Sequence, residues 1–404
     1  MITVEEARAR ILAAFAPLAA EQVALTDGLG RVLAEDIVAR VTQPPSAVSA
    51  MDGYAVRAAD VVKVPVQLRV TGYAQAGHAL AGKLQAGEAA RIFTGAALPP
   101  GADAVVIQED TTASGDHVEV RESVIAGRHV RTAGTDFNKG DVLLKKGRRL
   151  TARDIGIAAA MNAPWLRVTR RPRIAVLATG DEVVMPGEPI GPTQIVSSNS
   201  LSLSAFVTAC GAEPIHLGIA PDDLGVLQRM AAAAAGADLL VTSGGASVGE
   251  HDLVQKALGA AGMELDFWKI AMRPGKPLLF GRLGATPVLG LPGNPVSAMV
   301  GSTLFLRPAI DRMLGLTASA APGATAILGR DLPENDNRED YLRAEVSYDS
   351  AGRLVATPFP KQDSSMLSLM ARADCLVIRP IRAPAIKAGA TVPIVFLAGG
   401  ALSI

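Results

Sequence analysis

Arg173-Ile174-Ala175-Val176-Leu177-Ala178 is the stretch on which the fold turns. After one charged residue the run is wholly apolar, which reads as a strand buried on both faces of a sheet. Downstream the pattern repeats. Helices are expected at 200–210, 222–235 and 252–261, and again from Pro295 onward. Strands are expected at 214–219, 238–242, 267–271 and 287–291 between them. Buried strands alternating with helices predict a doubly wound parallel sheet.

On the N-terminal side, Thr3-Val4-Glu5-Glu6 has the form of a capping box, and Ile11, Leu12, Phe15 and Leu18 follow at helical spacing. Val23 and Leu25 suggest a short strand, and Asp27 could cap a second helix over 31–39. From Ser46 to about Gly140 short alternating strands such as 64–70 and 117–120 are separated by Gly, Pro and Asp turns, so a small β-rich domain is expected. A helical pattern returns at 151–161 and would pack back on the N-terminal segment. Beyond about Leu316 the strands 341–346, 354–357, 375–379 and 391–396 predict a C-terminal β-barrel or sandwich. The expected domains are therefore 1–45 plus 141–170, 46–140, 171–315 and 316–404.

Composition narrows the function. The 404 residues carry 39 Lys+Arg and 39 Asp+Glu, a net charge of zero, and 49% are hydrophobic. A general polyanion binder needs a strong basic excess, so nucleic acid is not an expected partner. Aromatics at 4% argue against a base-stacking platform. Cys210 and Cys375 lie far apart, which disfavours a disulfide scaffold or tetrahedral zinc and fits the reducing cytoplasm. The first six residues include two acids where a secretory signal needs a basic start. The charge-free stretch 283–306 is long enough to span a bilayer, but Leu291-Pro292-Gly293-Asn294-Pro295 breaks it with turn chemistry. It reads as strand, loop and helix start, and no membrane partner is expected.

Ligands of open α/β sheets bind beyond the carboxyl ends of the strands. Four loops belong there: Thr179-Gly180-Asp181-Glu182, Ser243-Gly244-Gly245-Ala246-Ser247-Val248-Gly249-Glu250-His251-Asp252, Arg273-Pro274-Gly275-Lys276-Pro277 and Leu291-Pro292-Gly293-Asn294-Pro295. Glycines let backbone N–H groups approach an anion, and Ser243 and Ser247 add hydroxyls. The loop is neither a P-loop nor a dinucleotide fingerprint. Asp181, Glu182, Glu250 and Asp252 would share one rim, an arrangement suited to Mg²⁺ beside a phosphate ester; acids favoured by a helix dipole are the plainer alternative. Lys269, Arg273 and Lys276 bring cations to the same rim, as ligands for an oxyanion or as a solvated edge. The five histidines share no ligand spacing.

Pro44-Pro45, Ser49-Ala50-Met51-Asp52-Gly53-Tyr54-Ala55, Ile92-Phe93-Thr94-Gly95-Ala96 and the loops above occur in an order that resembles the molybdopterin molybdenumtransferase family, similar also to the E domain of gephyrin. The resemblance spans nearly the whole chain. It implies a split helical linker domain, an inserted β domain, a molybdopterin-binding α/β domain and a C-terminal β-barrel. It implies an elongated homodimer with each active site shared between subunits. The implied reaction inserts molybdate into adenylated molybdopterin with a divalent metal, usually Mg²⁺, releasing AMP and molybdenum cofactor. A molybdopterin adenylyltransferase and apo-molybdoenzymes or their chaperones are implied partners.

By the same match Ser243, Gly244, Gly245, Ser247, Gly249, Pro292 and Asn294 would hold the pterin or its phosphate. Glu182, Asp222 and Asp252 would sit at the metal and pyrophosphate, with Glu182 and Asp252 as metal ligands. Lys269, Arg273 and Lys276 would attract molybdate or phosphate. Asp52, Thr94 and Asp136 would reach in from the partner subunit, and Ser364 would stand at the cleft. Asp52, Thr94, Glu182 and Asp252 are the expected catalytic groups. The chain departs from the usual pattern at Thr135, Arg273 and Asp363. Two competing readings are a peptide-binding scaffold of the gephyrin E-domain kind and a pyrophosphatase on the molybdopterin-binding fold. The retained acids speak against the first, and the inserted domain and C-terminal barrel against the second.

Overall fold

The structure, a computed structural model, describes residues 1–78, 80–244, 253–316 and 324–397. Its centre is a six-stranded sheet in the order Glu213–Ala220, Arg173–Thr179, Leu239–Ser243, Thr286–Leu291, Leu279–Leu283, Met263–Trp268. The first four strands are parallel. The last two are antiparallel additions at one edge. Side chains alternate along Arg173–Thr179 as a pleated strand requires. Ile174 and Val176 join the core on one face with Val241, Leu289, Leu203 and Val207, whereas Ala175 and Leu177 join Leu240, Val288, Leu227 and Ala257 on the other. A strand buried on both faces has no polar side, which is why its sequence shows no alternation.

The expected strand over 267–271 instead spans Met263–Trp268 and stops before Lys269, whose φ of +80° turns the chain away. Strand Leu279–Leu283 was not expected. It pairs with Thr286–Leu291 across Gly284-Ala285, where Gly284 has a φ of +57°, and one tight turn hides two strands in one apolar run. Among the described residues no helix is long and apolar enough to cross a membrane.

Helix Val4–Ala13 starts at Thr3, whose Oγ1 accepts from the Glu6 N–H (3.1 Å). The Glu6 carboxylate turns to Arg10 instead of closing a capping box. Val4, Ala7 and Ile11 bury against the α/β core. The expected helix at 31–39 is absent: Ile37–Val38 pairs with Val142–Leu144, and Leu33 bridges Val168. Leu33, Ile37 and Ala39 are buried with Leu144, Leu150, Ala158 and Leu166, so the two chain segments share one core. Helix Ala152–Ala160 opens on a full capping box between Thr151 and Asp154.

Between these segments lies a mixed six-stranded sheet in the order Ala104–Ile107, Gly53–Val56, Glu88–Ile92, Val66–Ala74, His117–Val120, Thr111–Ser114. The C-terminal region is a closed five-stranded barrel. Glu339–Tyr348, Leu354–Pro358, Ala324–Leu328, Thr391–Phe396 and Cys375–Arg379 pair in turn, and the last closes on the first. Met272–Arg273, from the α/β region, adds to its rim by pairing with Glu339 and Asp340.

Candidate active site

A cleft of about 600 Å³ opens at the carboxyl edge of the parallel strands. Arg173–Thr179 delivers Thr179 and Glu182 to its wall, Leu239–Ser243 delivers Ser243 and Gly244, and Thr286–Leu291 delivers Pro292 and Asn294. Two close approaches shape this wall. Gly244 has a φ of +101°, and a Cβ there would stand 2.6 Å from the Thr179 carbonyl oxygen. Gly180 has a φ of +133°, and a Cβ there would stand 2.4 Å from Glu182 Oε2, so the Glu182 carboxylate folds back over bare backbone.

Beside the cleft the carboxylates converge. The Asp222 N–H donates to Asp181 Oδ1 (3.0 Å). The Asp222 carboxyl titrates above the ordinary carboxylate range, chiefly through burial and then through the charges of Asp181 and Glu182. Among the described residues no three His, Cys, Asp or Glu side chains form a cage for a metal ion. Gly245, Ser247, Gly249, Glu250 and Asp252 lie outside the described residues, so the expected ligand Asp252 has no placement.

Across the cleft, Ser364 of the barrel region accepts at Oγ from Asn294 Nδ2 (2.9 Å), and its carbonyl accepts from the Val296 N–H (3.2 Å). Ser365 lines the cleft beside it. The loop that carries both serines is held by buried Arg343, which donates to the Asp363 carbonyl (2.9 Å) and the Met366 carbonyl (3.2 Å).

The three expected cations separate. Arg273 is tied to the barrel region. Its Nε donates to Asp340 Oδ1 (2.8 Å), a second nitrogen bonds Asp340 Oδ2, and further bonds reach Asp336 (3.2 Å) and Asn335 (3.1 Å). The barrel's acids therefore pair with Arg273, whose side chain stays 45% exposed. Lys269 and Lys276 form no ion pair among the described residues. The Lys269 ammonium rests 3.8 Å from the Trp268 ring centroid. Neither lysine is among the residues lining the cleft, although Pro277 is.

Two wall residues have no role assigned in the sequence reading, although Thr179 stands in one of its four loops. Thr179 is 4% exposed, and its hydroxyl has no partner among the described residues. Asn199 begins helix Asn199–Ala209 and joins two strand-end loops through its amide. Ser197-Ser198-Asn199-Ser200 does carry a signal, a polar run before an apolar helix.

Comparison with known proteins accords with this geometry. Residues 2–162 match the family description "MoeA N-terminal region (domain I and II)", residues 175–312 match "Probable molybdopterin binding domain", and residues 325–397 match "MoeA C-terminal region (domain IV)". A Haemophilus influenzae protein named molybdopterin molybdenumtransferase is 34% identical over 98% of each chain. The chain belongs to the MoeA family. Another MoeA-family relative, molybdopterin molybdenumtransferase 2 of Mycobacterium tuberculosis, is 38% identical over 83% of this chain and 85% of its own. A crystal structure described as a molybdopterin biosynthesis MoeA protein from Pyrococcus horikosii superposes with a TM-score of 0.85 at 32% identity, covering 99% of this chain and 100% of that one.

In this MoeA-family chain a second polar constellation sits on the inserted sheet. Asp52 precedes strand Gly53–Val56, and Thr94 follows strand Glu88–Ile92. Asp52 Oδ1 accepts from the Thr94 N–H (2.7 Å) and from Thr94 Oγ1 (2.8 Å). These two bonds, with the charge of Arg91, hold the Asp52 carboxyl below the usual carboxylate range. Asp136 lies on an exposed turn whose N–H donates to the Gln43 carbonyl (3.0 Å). None of Asp52, Thr94 and Asp136 lines the cleft of their own chain.

Proposed function

We propose that this chain is a molybdenum insertase: it transfers molybdenum from molybdate into adenylated molybdopterin and completes the molybdenum cofactor. The observation that carries the reading is the cleft, where strand-end loops bring Ser243, Asn294 and Glu182 together in a MoeA-family chain, with Ser364 bonded to Asn294 and the carboxylates of Asp181 and Asp222 next to it.

The substrate bears a pterin, a pyrophosphate and adenosine, and molybdate is a second oxyanion. Ser243, Gly244, Pro292, Asn294 and Ser364 hold the pterin side and its phosphate, and Lys269 and Lys276 draw in oxyanions from the rim. The crowding of Asp222 against Asp181 and Glu182 suits a cation. Mg²⁺ takes one or two protein carboxylates and completes its shell with water and phosphate oxygens, so a full protein cage is not required. Glu182, with Asp181 or Asp222 beside it, would hold such an ion, which supplies charge neutralisation at the pyrophosphate. Molybdate is substrate rather than resident cofactor. The Asp52–Thr94 pair stays outside its own cleft, which supports a homodimer in which Asp52, Thr94 and Asp136 complete the neighbour's site. Removing one preorganised charged contact of this kind costs about a hundred- to a thousand-fold in rate.

The experiment scores AMP and molybdenum cofactor from purified protein, with Mg²⁺ present or withheld. AMP release should need adenylated molybdopterin and molybdate together. Asp52→Ala and Glu182→Ala should keep the fold, by circular dichroism, and abolish insertion. AMP release from unrelated nucleotides, or normal insertion by both variants, would overturn the assignment.

A further inference from the structure

Asn199 Nδ2 donates to the Gly293 carbonyl (2.7 Å) and to Ser243 Oγ (2.8 Å). A backbone carbonyl can only accept, so the atom facing Gly293 must be the amide NH₂ and the side-chain orientation is fixed by chemistry. An amide nitrogen offers two protons and no acceptor lone pair. Ser243 Oγ, bonded to that same nitrogen, must therefore accept. Its own O–H proton is left for another partner, and no described residue accepts it. Ser243 is 3% exposed and is among the residues lining the cleft. Farther along the same wall Asn294 Nδ2 likewise donates to Ser364 Oγ (2.9 Å).

We propose that Asn199 is a positioning residue that sets the polarity of the cleft. By donating to Ser243 it obliges that hydroxyl to present a proton to whatever binds. The cleft then favours a ligand that brings only acceptor oxygens to this point. That chemistry is an oxyanion, shared by the phosphates of the pterin substrate and by molybdate. This assignment rests on the insertase reading for the identity of the oxyanion, while the direction of the hydrogen bond follows from the amide alone.

A double-mutant cycle tests it. Pyrophosphate and molybdate, each alone, are titrated calorimetrically into wild type, Asn199→Ala, Ser243→Ala and the double variant. Ser243→Ala should weaken one oxyanion by about tenfold to a hundredfold, the worth of a hydrogen bond to a charged group, and Asn199→Ala, which keeps the hydroxyl but frees its orientation, should weaken the same oxyanion by less. The double variant should lose no more than Ser243→Ala alone, because Asn199 acts through Ser243. The oxyanion that loses affinity names the source. A purely structural role for Asn199 would persist in the Ser243→Ala background, so losses that multiply overturn the proposal, as does undiminished binding of both oxyanions in the single variants.

Asn199→Asp keeps the side-chain volume and serves if Asn199→Ala does not fold. Ionised, it accepts the Ser243 proton, so binding relative to wild type should fall at pH 8 and recover as the carboxylate is protonated. A ratio that does not change with pH counts against the idea. Turnover of the wild type is scored separately. If the cycle behaves as expected while wild type releases no AMP from adenylated molybdopterin and molybdate, the insertase reading fails and the poised donor stands.

Discussion

Asp222 lies beside the charges of Asp181 and Glu182, and the consequence is measurable. Burial and the neighbouring Asp181 and Glu182 raise its folded pKa above the unfolded value. Folding therefore takes up a proton, and between those two pKa values the native state binds more protons than the unfolded chain. Stability from this group falls as pH rises through that window and stays lower above it. Asp222→Asn should raise the melting temperature at pH 7–8 by a small amount, about 1–2 °C for a partly solvated carboxylate. The gain should vanish in acid, where both states carry the proton, and should shrink when Mg²⁺ is added. An equal gain at every pH would show that the charge is not the cause. At this scale the acids were legible in the sequence, because a carboxylate just past a strand end has few places to go. Asn199 was not, because its partners Ser243 and Gly293 lie 44 and 94 residues away and no local pattern records them.

Arg273 shows how pairing between elements overrides a residue's apparent role. In sequence it stands in a Gly-Pro loop with Lys276, and both read as anion ligands. In the structure Met272–Arg273 forms two parallel pairs with Glu339 and Asp340, which brings the guanidinium against a carboxylate that is only 7% exposed. Removing one partner of such a pair leaves a buried charge unanswered. Arg273→Ala should destabilise by about 2–3 kcal/mol, at or below the low end for a buried pair because the outer face of the guanidinium meets water. Arg273→Lys, which keeps the charge but not the fork, should lose about 1 kcal/mol. Denaturant melts of the three proteins check this, and an unchanged midpoint for Arg273→Ala would show that the tether carries no load. The same scale explains what periodicity found and missed. The parallel strands were readable because burial on two faces leaves unbroken apolar runs. Leu279–Leu283 was lost within a run that contains its own turn, and 31–39 was misread because Val32, Leu33 and Ile37 suit a helix face as well as bridged strands.

At the scale of the molecule the polar groups fall into two sets that one chain does not unite. Glu182, Ser243 and Asn294 line the cleft, and Asp52 with Thr94 lies on the inserted sheet outside it. Neither set is a complete site in the proposed reaction, and rotational symmetry offers a way to join them: two copies can each lend the inserted domain to the other's cleft. Such sharing predicts complementation between dead variants. Asp52→Ala damages only the lent set and Glu182→Ala only the cleft. In a mixed dimer one site receives both lesions and the other receives none. Equal, random mixing makes half the dimers mixed, each with one intact site of two, so about a quarter of wild-type activity should return. Co-expression with two affinity tags, followed by the AMP and cofactor assay, measures that fraction. If each chain built its own site, every site in the mixture would carry a lesion, and activity would stay at the level of the single variants whatever the mixing ratio.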